Sequence, residues 1–126
     1  MAAKKKFAHT CPVRHTLDLI GGKWKLPIIF LLLSASKRFT EIERAIPGIS
    51  ARMLIKELKD LEQHQLLTRT VYPTVPSHVE YTLTDAGRSL APMLNVMHNW
   101  GAAHMQDQGQ VVAPCTGEPL TQEAAA

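Results

Sequence analysis

Hydrophobic positions along this chain repeat at two periods, and the changes between them mark out its elements. After Cys11-Pro12, Val13, Leu17 and Ile20 recur at helical spacing. Proline suits the first turn of that helix, and Gly21-Gly22 closes it. From Lys23 to about Ala35 the chain is apolar nearly all round, which predicts a buried helix with Pro27 in its first turn. Ser34-Ala35-Ser36 breaks that pattern, and Arg38-Phe39 reads as a short extended link. Thr40 is placed to cap a third helix, with Glu43 at its third position as in a capping box and with Ile42 and Ile46 on one face. Pro47-Gly48 stops it.

Ser50 opens a fourth helix. Leu54, Leu58 and Leu61 stand at i, i+4 and i+7, and Arg52, Lys56, Lys59 and Gln63 lie opposite, so one face is apolar and the other basic. Ile49, just before the cap, is placed to pack on Leu54 as a hydrophobic staple. The period then drops to two. Leu67 to Tyr72 and Val79 to Leu83 alternate as strands, with Val79, Tyr81 and Leu83 on one side and Glu80 and Thr82 on the other. Pro73 to His78 forms the hairpin tip. Thr84 caps a final helix with Asp85 in its first turn. Leu90, Leu94, Met97, Gly101 and His104 form its stripe, flanked by Met93, Val96 and Trp100, and Pro92 is expected to bend it. Periodicity ends at about Gln108.

This order predicts a mainly α fold with a small β-wing: a winged helix-turn-helix. The expected organisation is a flexible basic arm over 1–10, a winged helix-turn-helix domain with dimerisation helices over 11–106, and a disordered tail over 107–126. In such a motif the second helix enters the major groove with its N-terminal residues against base edges. Ser50, Ala51, Arg52 and Met53 fill that position. Ser50 offers a hydroxyl or backbone N–H to a phosphate at the positive end of the helix dipole, and Arg52 suits a bidentate contact to guanine. Lys56 and Lys59 suit phosphates. Arg38 and Thr40 lead into the motif, and Ser77 and His78 at the wing tip suit the minor groove or backbone, which completes the candidate DNA contacts.

Composition agrees without deciding. The 126 residues suffice for one core, and 45% hydrophobic with 20% charged residues is ordinary for a globular chain. A net charge of +3 permits nucleic-acid binding but does not require it, so the placement of charge matters more: Lys4, Lys5 and Lys6 open the chain, and none follows from Asp107 on. The longest apolar run, Leu26 to Leu33, falls far short of the ~20 residues that cross a bilayer. No secretory signal is visible and two cysteines make no disulfide framework, so a cytoplasmic location without membrane contact is expected.

The residues also resemble the HxlR-type family of winged helix-turn-helix transcriptional regulators. The likeness rests on an ordered set: Cys11-Pro12, Ile20-Gly21-Gly22-Lys23-Trp24, Arg38 to Ile42, Ile46 to Ser50, Met53-Leu54, Leu58 to Glu62, Pro76, Val79 to Thr84, Gly87, Leu90, Pro92 and Trp100-Gly101. It covers roughly residues 11 to 105. Gln65 departs from it, standing where a glycine is usual between recognition helix and wing. The resemblance implies a cytoplasmic homodimer on a palindromic DNA operator, joined through the first and last helices. Val13 and Leu17 would meet Leu90, Met93, Leu94, Met97 and Trp100 there. It also implies an oxidant or small electrophile as effector, sensed at Cys11. Cys11 precedes a helix start, with Lys6, Arg14 and His15 near in sequence, and both features favour a thiolate. The alternative for Cys11 is a buried structural residue under the first helix. Cys115 lies outside the family pattern.

Other classes are open at this point. A winged helix can bind protein instead of DNA. An oxidoreductase or metal-binding protein finds less support: there is no nucleophile elbow or phosphate loop, and His9, Cys11 and His15 match no tight zinc spacing. No cofactor or metal is expected. Trp24 and Trp100 read as core or interface anchors, and His98 and His104 as interface or surface residues.

Overall fold

A computed structural model describes residues 11–113. The basic arm over 1–10, the tail from 114 and Cys115 lie outside the described residues. Within them the order is α1 (Pro12–Ile20), α2 (Lys25–Leu32), β1 (Lys37–Arg38), α3 (Phe39–Ala45), α4 (Ala51–Gln63), β2 (Leu67–Tyr72), β3 (His78–Leu83), α5 (Asp85–Arg88) and α6 (Ala91–Asp107).

The helix that is apolar all round is the centre of the packing. Ile28, Ile29 and Leu32 of α2 meet Ile42 of α3, Leu54, Leu58 and Leu61 of α4, and Leu67 and Leu83 of the sheet, all of them almost wholly shielded from solvent. α1 joins through Ile20 and Leu19, and α6 through Leu94. The fold is thus mainly helical with a small β-wing, as the periods predict.

The link at Arg38 is more than a link. Lys37 and Arg38 pair antiparallel with Tyr81 and Glu80, so the hairpin β2–β3 gains a third strand and the sheet order is β1-β3-β2. Two residues carry no period, which is why the sequence pattern shows no strand there. The pairing also moves the start of α3. Its cap is Arg38, not Thr40, and the Arg38 backbone N–H donates to the Glu41 carboxylate at 2.7 Å. Glu41, not Glu43, therefore holds the third helical position.

The expected final helix is two. Thr84 does cap the first, its Oγ1 accepting from the Gly87 N–H at 3.1 Å, but α5 ends at Arg88 and α6 begins at Ala91. Pro92 stands in the first turn of a new helix, where its missing N–H breaks nothing, so it bends no helix. Gly87 is fixed by close approach: a Cβ there would lie 2.2 Å from the Leu66 carbonyl oxygen. Thr84 Oγ1 also donates to the Gln65 carbonyl at 2.7 Å, tying α5 to the end of α4.

That end resolves the departure at Gln65. The Gln65 N–H donates to the Glu62 carbonyl and the Leu66 N–H to the Leu61 carbonyl, both at 3.0 Å. This is a Schellman closure, with Leu61 and Leu66 buried beside it. Gln65 sits at φ 61°, the left-handed region a glycine would occupy without strain.

Candidate nucleic-acid interface

The turn between α3 and α4 is held from beneath. Ile46 and Ile49 on either side of Pro47-Gly48 are buried, and Gly48 reaches φ 85°. A Cβ on Gly48 would stand 3.8 Å from the Trp24 ring, so Trp24 underlies the turn as part of the core wall. The Ser50 hydroxyl accepts from the Met53 N–H at 3.1 Å and starts α4 as expected. Ile49 and Leu54 both lie in the core, where a staple would put them.

On α4, Arg52, Lys56 and Lys59 are exposed while Leu54, Leu58 and Leu61 are buried, so the helix has the two faces its sequence predicts. Ala51 is exposed at the N-terminus beside Ser50. Met53 differs: it is half-buried and packs against the core, which withdraws it from the exposed face. Ile55, overlooked in the sequence, is 47% exposed between Arg52 and Lys59. Arg38 and Thr40 are exposed at the start of α3, and Arg44 of α3 adds a further exposed cation.

The orientation of α4 depends on a pair that periodicity did not reveal. Lys25 Nζ of α2 lies 2.5 Å from Glu57 Oε1 and 3.4 Å from Asp60 Oδ2, with Lys25 and Glu57 side chains only 12% and 10% exposed. Lys56 reaches the same Asp60 oxygen at 3.3 Å. Partial burial works against the Asp60 carboxylate, but the Lys56 and Lys25 ammonium groups outweigh it and hold its pKa below the ordinary 3.8. A signal for this contact did exist. Lys25 is a charge inside an otherwise apolar helix, and Glu57 falls on the buried row beside Leu54, Leu58 and Leu61; buried charges of this kind need partners.

At the wing, Ser77 is exposed at the tip. His78 is engaged locally: its ring stacks on Tyr72 with centroids 5.0 Å apart, Nε2 lies 3.1 Å from Glu80 and Nδ1 3.4 Å from Thr74 Oγ1. It braces the hairpin while its side chain stays 19% exposed. Arg69 on β2 is exposed and supplies the wing's cation.

α1 and α6 present apolar surface that the described residues leave open. Val13 is 69% exposed, Leu17 59% and Trp100 68%, with Val96 and Met97 also outward. Leu90 and Met93 are half-buried. Leu94 is a correction to the expected surface, since at 5% exposure it belongs to the chain's own core. Trp100 stacks on His104, centroids 5.0 Å apart. Cys11 is a free, exposed cysteine at the N-cap of α1. Among the described residues no three His, Cys, Asp or Glu side chains cluster as a metal site, and no helix is long and apolar enough to cross a membrane.

A helix-turn-helix with an exposed basic second helix, followed by a β-hairpin that β1 extends to three strands, defines a winged helix-turn-helix transcriptional regulator. The chain belongs to the HxlR-like helix-turn-helix family, whose model matches residues 19–109. It is similar to the uncharacterized HTH-type transcriptional regulator YdeP of Bacillus subtilis (strain 168), at 46% identity over 91 residues that span 72% of this chain and 71% of that one. Among solved structures it resembles the redox regulator HypR in its reduced form, with TM-score 0.74 and 41% identity over 79% of this chain and 98% of that one. It also resembles diamide-treated YodB from B. subtilis, with TM-score 0.62 and 36% identity over 82% and 98%. These relatives are regulators, not enzymes.

Proposed function

We propose that this protein is a homodimeric, sequence-specific regulator that lays α4 in the major groove of a DNA operator in the cytoplasm and responds to oxidants or electrophiles through Cys11. The observation that carries the DNA reading is the division of α4, with its apolar row locked into the core and Arg52, Ile55 and Lys59 turned outward. Arg52 suits guanine, Ile55 suits a thymine methyl group, and Ser50 and Lys59 suit phosphates. Lys56 serves more locally, since Asp60 already engages it. The open surface of Val13, Leu17, Met97 and Trp100 supports a partner subunit, and two-fold symmetry would set the two copies of α4 ~34 Å apart, one turn of DNA. The sensing reading draws on the exposed thiol and on likeness to a redox regulator and to a regulator solved after diamide treatment.

The test is a titration against specific and random duplexes at several salt concentrations. Arg52→Ala should lose about 1–3 kcal/mol on the specific duplex and relax sequence preference, while Lys59→Ala should weaken both duplexes and flatten the salt slope. Wild-type affinity in both variants would reject α4 as the reading helix. Absence of salt-sensitive binding to any duplex would favour a protein-binding winged helix. In the same assay Cys11→Ser should bind as the wild type does when reduced and lose its response to diamide.

A further inference from the structure

Asp60 stands one turn beyond Lys56 on α4 and serves two cations. Its Oδ2 accepts from Lys56 Nζ at 3.3 Å and from Lys25 Nζ at 3.4 Å. Lys25 does not depend on it. That ammonium is 12% exposed and lies nearer to Glu57, at 2.5 Å, with the pair closed inside the fold. The charge of Asp60 is therefore left to Lys56, whose side chain is 63% exposed. Partial burial works against the Asp60 carboxylate, but the Lys56 hydrogen bond and the Lys25 charge hold its pKa below 3.8, so it is an anion at neutral pH. Arg52 and Lys59 share the outer face of α4 with Lys56. Among the described residues neither has an acid within 4 Å, so Lys56 is the one of these three cations that is held.

We propose that Asp60 is a positioning residue that restrains Lys56 from backbone phosphates, and so keeps sequence-independent binding weak relative to binding at a matched DNA site. The inference rests on the DNA-binding reading above. A random duplex meets α4 through backbone charge, and its phosphates are not fixed against the helix. They compete for Lys56 with a carboxylate carried 3.3 Å away on the same helix, and that carboxylate also repels them. At a matched site the base contacts of Arg52 hold α4 against one stretch of backbone, so a phosphate stays within reach of Lys56. Giving up Asp60 then costs only what an exposed i,i+4 pair contributes. The carboxylate thus penalises binding without base contacts more than binding with them. Plain repulsion by Asp60 would act whether or not Lys56 is present, whereas restraint requires Lys56.

The test titrates the full chain at several salt concentrations against a pool of random duplexes and against the duplex that the wild type selects from that pool. Asp60→Asn should bind the pool about eightfold more tightly at about 0.1 M salt, with a slope of log affinity against log salt steeper by about 0.9, as one further phosphate contact gives. On the selected duplex the gain should be about twofold, with the slope unchanged. In a Lys56→Gln background Asp60→Asn should leave the pool slope unchanged. Lys56→Gln by itself should leave the pool slope as in the wild type and flatten that of the selected duplex by about 0.9, which decides the matter if Asp60→Asn fails to fold. Equal gains with and without Lys56 would reduce Asp60 to plain repulsion, and equal gains on pool and selected duplex would remove its part in discrimination; either result overturns the proposal. A wild type without salt-dependent binding to any duplex would reject the operator reading and this proposal with it. Salt-dependent wild-type binding with unchanged slopes in the variants would reject this proposal alone.

Discussion

The two functional ends of this molecule are built on opposite terms. Around α4 every apolar side chain on the inner face finds neighbours within the chain, the turn is clamped by Ile46 and Ile49, and even the charge that crosses to α2 is paired. What faces solvent there is Arg52, Lys56 and Lys59, with Ile55 among them. Around α1 and α6 the position is reversed. Val13 and Leu17 of α1 and Val96, Met97 and Trp100 of α6 stay open to solvent. The apolar face of α4 is therefore covered within one chain, whereas apolar groups of α1 and α6 are not. This division suits the two-copy reader proposed above.

That contrast breaks first, and most heavily, at the Lys25–Glu57 pair. Glu57→Ala leaves a shielded ammonium with only Asp60 to face, and should lower unfolding free energy by about 3 kcal/mol, read from urea denaturation. A loss below about 0.5 kcal/mol would mean that Lys25 simply turns out to water and that α4 is positioned by its leucines alone. At the other end, Trp100→Asp should leave the fold of the protomer intact but weaken self-association by at least about 2 kcal/mol, roughly thirtyfold in Kd. Sedimentation of wild type and variant at matched concentration reads this directly, and an unchanged mass would place the dimer contact elsewhere.

Acid sharpens the reading end further. Asp60 is held below 3.8, so its contribution to stability is fully present above that value and drains away as pH falls through the lower value of the folded state. Urea midpoints between pH 7 and pH 2.5 should fall on the acid side in the wild type and fall less in Asp60→Asn. Parallel curves for the two proteins would show that the network around Lys25 and Lys56 gains nothing from this carboxylate. The smallest effect is expected where α4 ends. Gln65→Gly removes the side chain from a left-handed position and should raise stability by about 0.5 kcal/mol, after the entropy that glycine adds to the unfolded chain is counted. A loss instead would mean that the Gln65 side chain makes contacts worth more than its backbone strain.

Where the elements lie was legible because each obeys a period or a terminator of its own. α1 ends at Gly21, α4 begins at Ser50, and the hairpin β2–β3 alternates as its residues do, since a helix cap and a two-residue alternation are local facts that a chain carries wherever it goes. Errors fell where a contact from afar redirects a short segment. Lys37 and Arg38 became a strand by pairing with Tyr81 and Glu80, and that pairing moved the cap of α3 back to Arg38. Pro92 mimics a bend because Leu90 and Leu94 continue one stripe across the break between α5 and α6.

The winged helix-turn-helix, the basic face of α4 and the apolar positions of the terminal helices follow from residue type and spacing along one element. Which of those residues remain available depends on how distant elements pack. Met53 and Leu94 were withdrawn into the core, His78 was tied to Tyr72 and Glu80, Cys11 was left exposed, and Lys25 and Glu57 emerged as a shielded ion pair. Availability is a relation between elements far apart in the chain. Burial and pairing are settled only when α2, α4 and α6 meet, and no period within a single helix records where its neighbours will stand.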